Sequence, residues 1–466
     1  MTLDPDRCYQ AILARDARFD GRLFVGVTST GVYCRPVCPA TTPKPAHCRF
    51  FPSAAAAQAA GFRPCLRCRP ETTHELGAWH GTSSVVSRAL ALIADGALDD
   101  APLDALADRL GLGERHVRRL FQQHLGASPA AVARTRRVLF AKQLLHETSL
   151  PIGDVARAAG FRSVRQLDDT FRRLFGRPPS ALRSRSRPNP DVTVLLRYRP
   201  PFDWDAALAH LAGRAVDGVE RVEGGTWQRT VLLDGDRLGT VRVAHAPDRD
   251  ALAATLTLPD LAALAPTVAR IRRLFDLDAD TEAIGAHLAQ DPLLAPLVAR
   301  RPGLRVPGGW DGFELAARAI LGQQVTVAAA RGLAGQLVRC CSAPAGAFPG
   351  PRHVLAADLA PMRMPGARKR ALHALAEAAA ADPHLFRARA TVDDTVARLR
   401  ALPGVGEWTA QYVALRAVRE PDAFPAGDVA LQRRAGLDAA QLLARAERWR
   451  PWRAYAAQHL WSSELP

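Results

Sequence analysis

A multidomain, mostly α chain is what this sequence predicts: a small zinc-bound α+β domain, a tandem helix-turn-helix domain, a second α+β domain and a helical C-terminal domain. Three observations predict it. Two close cysteine pairs lie near the N-terminus, Cys34 with Cys38 and Cys65 with Cys68. Two similar basic helical segments follow, one from Leu103 and one from Ile152. Strand-like alternation then gives way to helical patterning that carries a two-glycine hairpin and, a little further on, an acid. The 466 residues are enough for several domains, with boundaries expected at 1–78, 82–185, 192–275 and 276–466.

Taken in order, the first element is the cysteine set. Two close pairs separated by a loop supply what a tetrahedral four-thiolate zinc site requires. The start of the chain has no secretory pattern, so a disulfide framework is not expected. The ligands are therefore Cys34, Cys38, Cys65 and Cys68, with one zinc as the cofactor. Cys8, Cys48, Cys340 and Cys341 lack such spacing and read as packing residues.

A linker, ETTHELGAWHGTSS (71–84), comes next, with Ser83 or Ser84 available to cap a following helix. Beyond it, LDALADRLGLGERHVRRLFQQHLGASP and IGDVARAAGFRSVRQLDDTFRRLFGRPPSALR each read as a short helix, a turn at glycine (Gly111, Gly160) and a second, amphipathic helix. Val117, Leu120 and Phe121 face inward in the first, leaving Arg115, Arg118, Arg119 and Gln122 outward. Leu167, Phe171 and Leu174 face inward in the second, leaving Arg165, Gln166 and Arg172 outward. This is the helix-turn-helix form with basic recognition faces, and its recurrence in one chain strengthens it. A helix from Pro129 to about Glu147 joins the two units.

SRSRPNP (184–190) is polar, basic and proline-containing, hence a second linker. VTVLLRY, TWQRTVLLDG, RLGTVRVAH and ALAATLTLP then alternate or run apolar and read as strands, with DWDAALAHLAGRAV as a helix among them. The pattern from there on is helical.

The C-terminal part holds the most informative stretch, LPGVGEWTAQYVAL from Leu402, followed by FPAGDVALQ with Asp428. A hairpin with Gly404 and Gly406 brings backbone N–H groups against a phosphate. The acid can then sit beside the sugar of the nucleotide being held. That combination suits glycosidic bond cleavage in DNA, where positive charge develops on the sugar. Trp408 and Tyr412 are four apart and share a helix face. With Trp461 they supply aromatic walls for an extruded base, above all a cationic one.

Composition agrees. The formal net charge is +16 and the pI is near 10.4, which suits a polyanionic partner, double-stranded DNA. Of the 62 basic residues only Lys44, Lys142 and Lys369 are lysine. No apolar run is long enough to span a bilayer, so a membrane is not an expected partner and the cytoplasm, at the nucleoid, is the expected location.

These motifs carry three resemblances. RDARFDGRLFVGVTSTGVYCRPVCPA and FFPSAAAAQAAGFRPCLRCRP resemble the N-terminal domain of Ada-type methyl-phosphotriester sensors over about residues 1–75. That resemblance makes Cys34 both a zinc ligand and the methyl acceptor. The tandem pair ending in GRPPSALR resembles the AraC-type DNA-binding domain, which implies promoter binding and RNA polymerase as a further partner. From about 192 onward the chain resembles AlkA-type 3-methyladenine DNA glycosylases of the helix-hairpin-helix superfamily. The matching runs include RYRPPFDW, RLFDLDAD, RPGLRVPGGWDGFELAARAILGQQV, LPGVGEWTA, FPAGD and ERWRPWRAYAAQHLW. This resemblance makes Asp428 the catalytic acid and Trp408, Tyr412 and Trp461 the base pocket. It places Gln324 where the family puts the side chain that wedges into the DNA gap, although the best-known member has an apolar wedge there.

The residue types shape the expected chemistry. With one acid and no lysine in or just after the hairpin, Schiff-base chemistry and strand cleavage are not expected. The expectation is a monofunctional enzyme that releases bases of the 3-methyladenine and 7-methylguanine class. The alternative is a transcription factor whose glycosylase half only binds damage. No PCHR run exists, so direct reversal of O6-methylguanine is not expected.

Overall fold

The computed structural model describes residues 3–73, 84–94, 96–99, 101–183, 191–389 and 391–463. Most of the first linker, Ser83 included, and all of 184–190 lie outside the described residues. The chain forms two compact units. One holds Met1–Arg197 with Asp260–Ala269; the other holds Tyr198–Pro259 with Arg270–Pro466. The protein is mostly helical. Among the described residues no helix is long and apolar enough to cross a membrane.

The first unit begins with helix α1 (Pro5–Leu13), which starts where the Asp4 carboxylate accepts from the N–H groups of Asp6 and Arg7. Strands β1 (Phe24–Val27), β2 (Val32–Cys34), β3 (Cys48–Phe51) and β4 (Arg63–Pro64) form one sheet in the order β3-β1-β2-β4. Helix α2 (Ala54–Ala59) packs on it. Gly26 in β1 is required by space: a Cβ there would meet the rings of Phe51 at 2.8 Å and Phe62 at 2.9 Å. The short parallel pairing of β2 with β4 matches Val32 to Arg63 and Tyr33 to Pro64. One residue further along each strand come Cys34 and Cys65, so sheet register itself brings the two cysteine pairs together.

Helices α3 (Ser84–Ala94), α4 (Leu103–Arg109), α5 (Glu114–Leu125), α6 (Pro129–Glu147), α7 (Ile152–Ala158) and α8 (Val164–Phe175) follow. The α4–α5 and α7–α8 pairs are the two expected helix-turn-helix units. Gly111 and Gly160 turn with φ +69° and +77°, a conformation glycine enters freely. Helix α5 buries Val117, Phe121 and Leu125, and α8 buries Leu167, Phe171 and Phe175. Leu120 and Leu174, expected inward, are only partly buried. Each sits at the margin of its helix's apolar stripe, and Leu125 and Phe175 complete the stripe instead.

Helix α6 does more than join those units. Its Lys142 is fully buried, and Nζ donates to Glu71 Oε2 at 2.6 Å and to the Cys65 carbonyl at 3.5 Å. Thr135 donates to Gln58 Oε1 at 3.0 Å, and the Ser53 hydroxyl donates to the Leu125 carbonyl at 2.6 Å. At its C-terminal end Glu147 accepts from Arg69 at 3.5 Å. Glu147 also accepts from the backbone N–H of Leu195 at 3.0 Å, in strand β5 (Val192–Arg197), and Gln143 donates to the Leu195 carbonyl at 3.0 Å. One helix thus holds both the cysteine-bearing domain and β5.

The second unit opens with α9 (Trp204–Ala212), capped by Asp203. Strands β6 (Glu220–Glu223), β7 (Thr226–Leu232), β8 (Leu238–Ala246) and β9 (Ala251–Thr257) run as antiparallel neighbours in sequence order. The sequence did not announce β6. Its ERVE segment holds one apolar residue and no buried position, and it is a strand because β7 supplies a ladder. Helix α10 (Leu264–Leu274) then leads to α11 (Thr281–Leu288), α12 (Ala295–Arg300), α13 (Gly312–Leu321), α14 (Val327–Cys340), α15 (Pro351–Leu355), α16 (Gly366–Ala381), α17 (Val392–Arg400) and α18 (Glu407–Val413). A π turn, Ala414–Val418, extends α18. The chain ends in α19 (Val429–Ala435), α20 (Ala439–Ala446) and α21 (Arg453–Ser462).

Candidate functional site

The hairpin between α17 and α18 has glycine for two different reasons. Gly404 turns with φ +77°, and a Cβ there would lie 2.5 Å from the Cβ of Ala371 on α16. Gly406 has an ordinary φ of −81° and nothing within 4 Å of where its Cβ would be. Its backbone is simply open and exposed. Gln323 braces this turn: its Nε2 donates to the Gly404 carbonyl at 2.9 Å and to Thr409 Oγ1 at 3.1 Å. Gln324, the residue singled out from sequence, points differently. It is exposed, with φ +57°, and sits beside the exposed Val325 and Val327. Two adjacent glutamines divide the work, and nothing in a QQ pair says which one turns inward.

Asp428 is the N-cap of α19. Its Oδ1 accepts from the Leu431 N–H at 3.0 Å. Its Oδ2 accepts from Trp408 Nε1 at 2.7 Å, and Oδ1 lies 3.3 Å from Trp461 Nε1. The carboxylate is therefore held by donors on both oxygens, two of them from the aromatic residues that sequence placed in the same pocket. Trp408 and Tyr412 stack with centroids 5.2 Å apart and planes 11° apart. Tyr412 and Trp461 meet edge-on at 6.1 Å. All four residues line one cavity of about 560 Å³, a size suited to a flipped base.

The sequence did not single out the cationic side of this cavity. Arg416, in the π turn, is buried; its guanidinium lies 5.6 Å from the Tyr412 centroid and 5.2 Å from that of Trp461. It donates to the Pro307 carbonyl and to Gln458 Oε1, both at 2.8 Å. Burial brings Arg416 down to about 10. Burial pushes the Tyr412 hydroxyl up, but Arg416 and Arg214 beside it prevail and bring it below the usual tyrosine range. None of the three lysines lines this cavity.

In the first unit, the sulfurs of Cys34, Cys38, Cys65 and Cys68 all lie within 4.8 Å of one another. Four thiolates around a tetrahedral zinc sit about 3.8 Å apart, given zinc–sulfur bonds of about 2.3 Å; the cluster has the right donors at the right scale for one zinc. A cation at the centre lets four sulfurs this close all be thiolates. Arg35 braces the set: its backbone N–H points to Cys68 Sγ at 3.4 Å, and its guanidinium pairs with Asp20 and donates to Thr72 Oγ1 at 2.7 Å. Cys34, Cys65 and Cys68 are buried and Cys38 is half-buried. Cys8 packs in the core beside the cluster, and Cys48 Sγ contacts the Lys44 carbonyl at 3.4 Å; neither joins the four.

On the helix-turn-helix units, Arg115, Arg118 and Arg119 on α5 and Arg165, Gln166 and Arg172 on α8 are all exposed. Arg118 pairs with Glu114 at 2.9 Å and Arg172 with Asp168 at 2.6 Å along their own helices. Gln166 accepts from the Arg162 N–H at 3.0 Å.

Three family models match the chain in order: the metal binding domain of Ada over residues 7–71, a helix-turn-helix domain over 106–185 and the AlkA N-terminal domain over 193–311. A probable bifunctional transcriptional activator/DNA repair enzyme AlkA from Mycobacterium tuberculosis (strain CDC 1551 / Oshkosh) is 42% identical, across 99% of this chain and 96% of its own length. DNA-3-methyladenine glycosylase 2 of Escherichia coli (strain K12) is 36% identical across 58% of this chain and 96% of its own. A solved 3-methyladenine DNA-glycosylase from Archaeoglobus fulgidus covers 58% of this chain and 96% of its own, with a TM-score of 0.50 at 21% identity; the two share a fold.

Proposed function

The chain belongs to the family of bifunctional transcriptional activator/DNA repair enzymes of the AlkA type, and from that premise we propose that it both excises alkylated bases from DNA and answers alkylation at promoters. Four modules divide the work: a zinc-thiolate sensor (1–78), a tandem helix-turn-helix (82–185), an α+β module (192–275) and a helix-hairpin-helix module (276–466).

Asp428, held between Trp408 and Trp461 at the cavity, is the observation that carries the excision reading. The open backbone around Gly404 and Gly406 takes a DNA phosphate, Gln324 enters the gap left in the duplex, and the extruded base lies among Trp408, Tyr412 and Trp461. The bond from C1′ to the base nitrogen breaks, its electron pair leaves with the base, and the sugar becomes cationic. Asp428 stabilises that cation until a water adds at C1′ and gives its proton to solvent, leaving an abasic sugar. Donors on both of its oxygens fix the carboxylate in place beside that charge. No cavity lysine is at hand for a Schiff base, so base release is the whole reaction. Assay of 3-methyladenine release from methylated duplex DNA tests this. Release by the wild type supports the enzyme; binding to damaged DNA without release would establish the alternative, a silent damage-binding module.

For the sensor, zinc bound to Cys34, Cys38, Cys65 and Cys68 keeps their sulfurs as thiolates at neutral pH. The Cys34 sulfur attacks the methyl carbon of a methyl phosphotriester, the O–CH3 bond breaks, and the phosphodiester leaves as an anion. The thiolate site loses one negative charge facing the phosphate backbone, so affinity for DNA rises. The arginine faces of α5 and α8 then hold the promoter and present the complex to RNA polymerase, in the cytoplasm at the nucleoid. Peptide mass mapping after exposure to methylated DNA places the methyl on Cys34; a methyl on Cys38, the more open sulfur, would reassign the acceptor.

A further inference from the structure

The loop joining α13 to α14 carries Gln324 and is tied down on both sides of it. The Gly322 N–H closes α13 on the Arg318 carbonyl at 2.9 Å. Thr326 opens α14, its hydroxyl accepting from the Ala329 N–H at 3.2 Å. Between them Gln324 holds φ +57°, a left-handed conformation that a residue with a side chain keeps only where its surroundings impose it. Gln323 is where the surroundings take hold. Both protons of its Nε2 are committed to the hairpin, one to the Gly404 carbonyl at 2.9 Å and one to Thr409 Oγ1 at 3.1 Å. A carbonyl only accepts, so it is the amide nitrogen that faces Gly404. The Gln323 carbonyl in turn accepts from Arg368 at 2.7 Å. Arg368 lies on α16, one turn before Ala371, whose Cβ leaves room only for glycine at 404. Helix α16 thus supports the wedge loop and the hairpin alike, and Gln323 closes the link between them. Thr409 follows Trp408, which holds Asp428. Gln323 itself is outside the cavity lining.

We propose that Gln323 is a positioning residue for base extrusion: its amide locks the Gln324 wedge to the phosphate-holding hairpin at one fixed spacing. This rests on the wedge and hairpin roles proposed above and deepens them by naming what keeps the two in register. A duplex offers a phosphate and the gap beside it at a set separation. A hairpin seated on the backbone delivers the wedge into that gap only if the loop cannot slide against it. Two hydrogen bonds from one amide, with an arginine on the same residue's carbonyl, prevent the slide. Without them the hairpin still meets its phosphate, so DNA binds, but the wedge arrives out of place.

The test is a double-mutant cycle on the full chain, read as kcat and KM for 3-methyladenine release from methylated duplex DNA. Gln323→Met keeps the length of the side chain and removes both donors. It should lower kcat about tenfold, a part of the roughly hundredfold that a full ångström of misplacement costs, and leave KM within about twofold of wild type. Gln324→Ala, which removes the wedge, should lower kcat by itself. In that background Gln323→Met should cost less than about twofold more, because the group it positions is gone. If the Met variant does not fold, Gln323→Glu gives the same comparison: it has the same shape and, as a carboxylate, nothing to donate to the Gly404 carbonyl. A wild-type kcat in Gln323→Met, a loss confined to KM, or an equal loss with and without Gln324 overturns the inference, the last because it marks Gln323 as support for the fold alone. A wild-type rate in Gln324→Ala would instead remove the wedge role, and this inference with it. Failure of the wild type to release the base would remove the excision reading. Each failure is read in a different protein, so they are distinguishable.

Discussion

At the scale of single residues, Asp428 serves two masters. It caps α19 through Leu431 and it sets a carboxylate at the aromatic side of the cavity. Asp428→Asn separates the roles, because an asparagine caps a helix as well as an aspartate does. Base release should fall by about a hundredfold to a thousandfold, the cost of losing a preorganised electrostatic partner, while DNA binding and melting temperature change little. Turnover at the wild-type rate would mean the charge does no chemistry. Trp408 differs from its neighbours in the pocket: Arg416 already sits against the rings of Tyr412 and Trp461, and among the described residues no such cation pair occupies Trp408. Trp408→Ala should therefore cost more in excision of cationic bases than of neutral ones; equal losses would mark it as packing. The Lys142–Glu71 pair makes a further residue-scale case. Both side chains are essentially without exposure, so Glu71→Gln leaves a buried ammonium facing a neutral amide. The expected loss in urea denaturation is about 3–5 kcal/mol, and a double replacement by apolar residues should restore part of it. A loss below 1 kcal/mol would show that water reaches the pair.

At the scale of elements, the recognition helices present arginines in two states. Arg118 is partnered by Glu114 one turn back, whereas Arg119 beside it points its charge outward. Arg119→Ala should weaken promoter binding and reduce the steepness of its salt dependence by about 0.9 in log–log slope if it neutralises one phosphate; an unchanged slope would take Arg119 off the DNA. Elements are also where the sequence was easiest to read. The expected helix from Pro129 to about Glu147 is α6 to the residue, since Ser128 and Pro129 mark its start. The β7, β8 and β9 runs were also legible, though their ends differ somewhat from the expected ones. Strand β6 was hidden because pairing, not its own residues, makes it a strand. In the pocket, Asp428, Trp408, Tyr412 and Trp461 were legible because their motif is local and their chemistry distinctive. Arg416 and Gln323 were not. An arginine among 62 basic residues and one of two adjacent glutamines become informative only when folding aims them at a cavity or a turn.

At the scale of the molecule, the cysteine cluster and the first helix-turn-helix unit belong to one compact body. The purified protein should carry one zinc per chain, and Cys65→Ala should release it. Because α6 grips the Cys65 carbonyl and Glu71, loss of the metal should also lower the melting temperature of the helices and abolish promoter binding. Retention of zinc in this variant, or loss of zinc with promoter binding intact, would argue for modules that fold independently.

The reach of α6 also has a consequence in time. A ribosome delivers Glu71 long before Lys142: 71 residues separate the pair, which at about 5–20 residues per second is about 4–14 s of synthesis. During that interval every cysteine of the metal site is already outside or nearly so, while the carboxylate destined for burial still stands in water. The nascent metal-binding domain can load its metal before the helix that covers it exists. Each new molecule passes through a stage in which the cluster is complete, open, and not yet attached to anything that reads DNA.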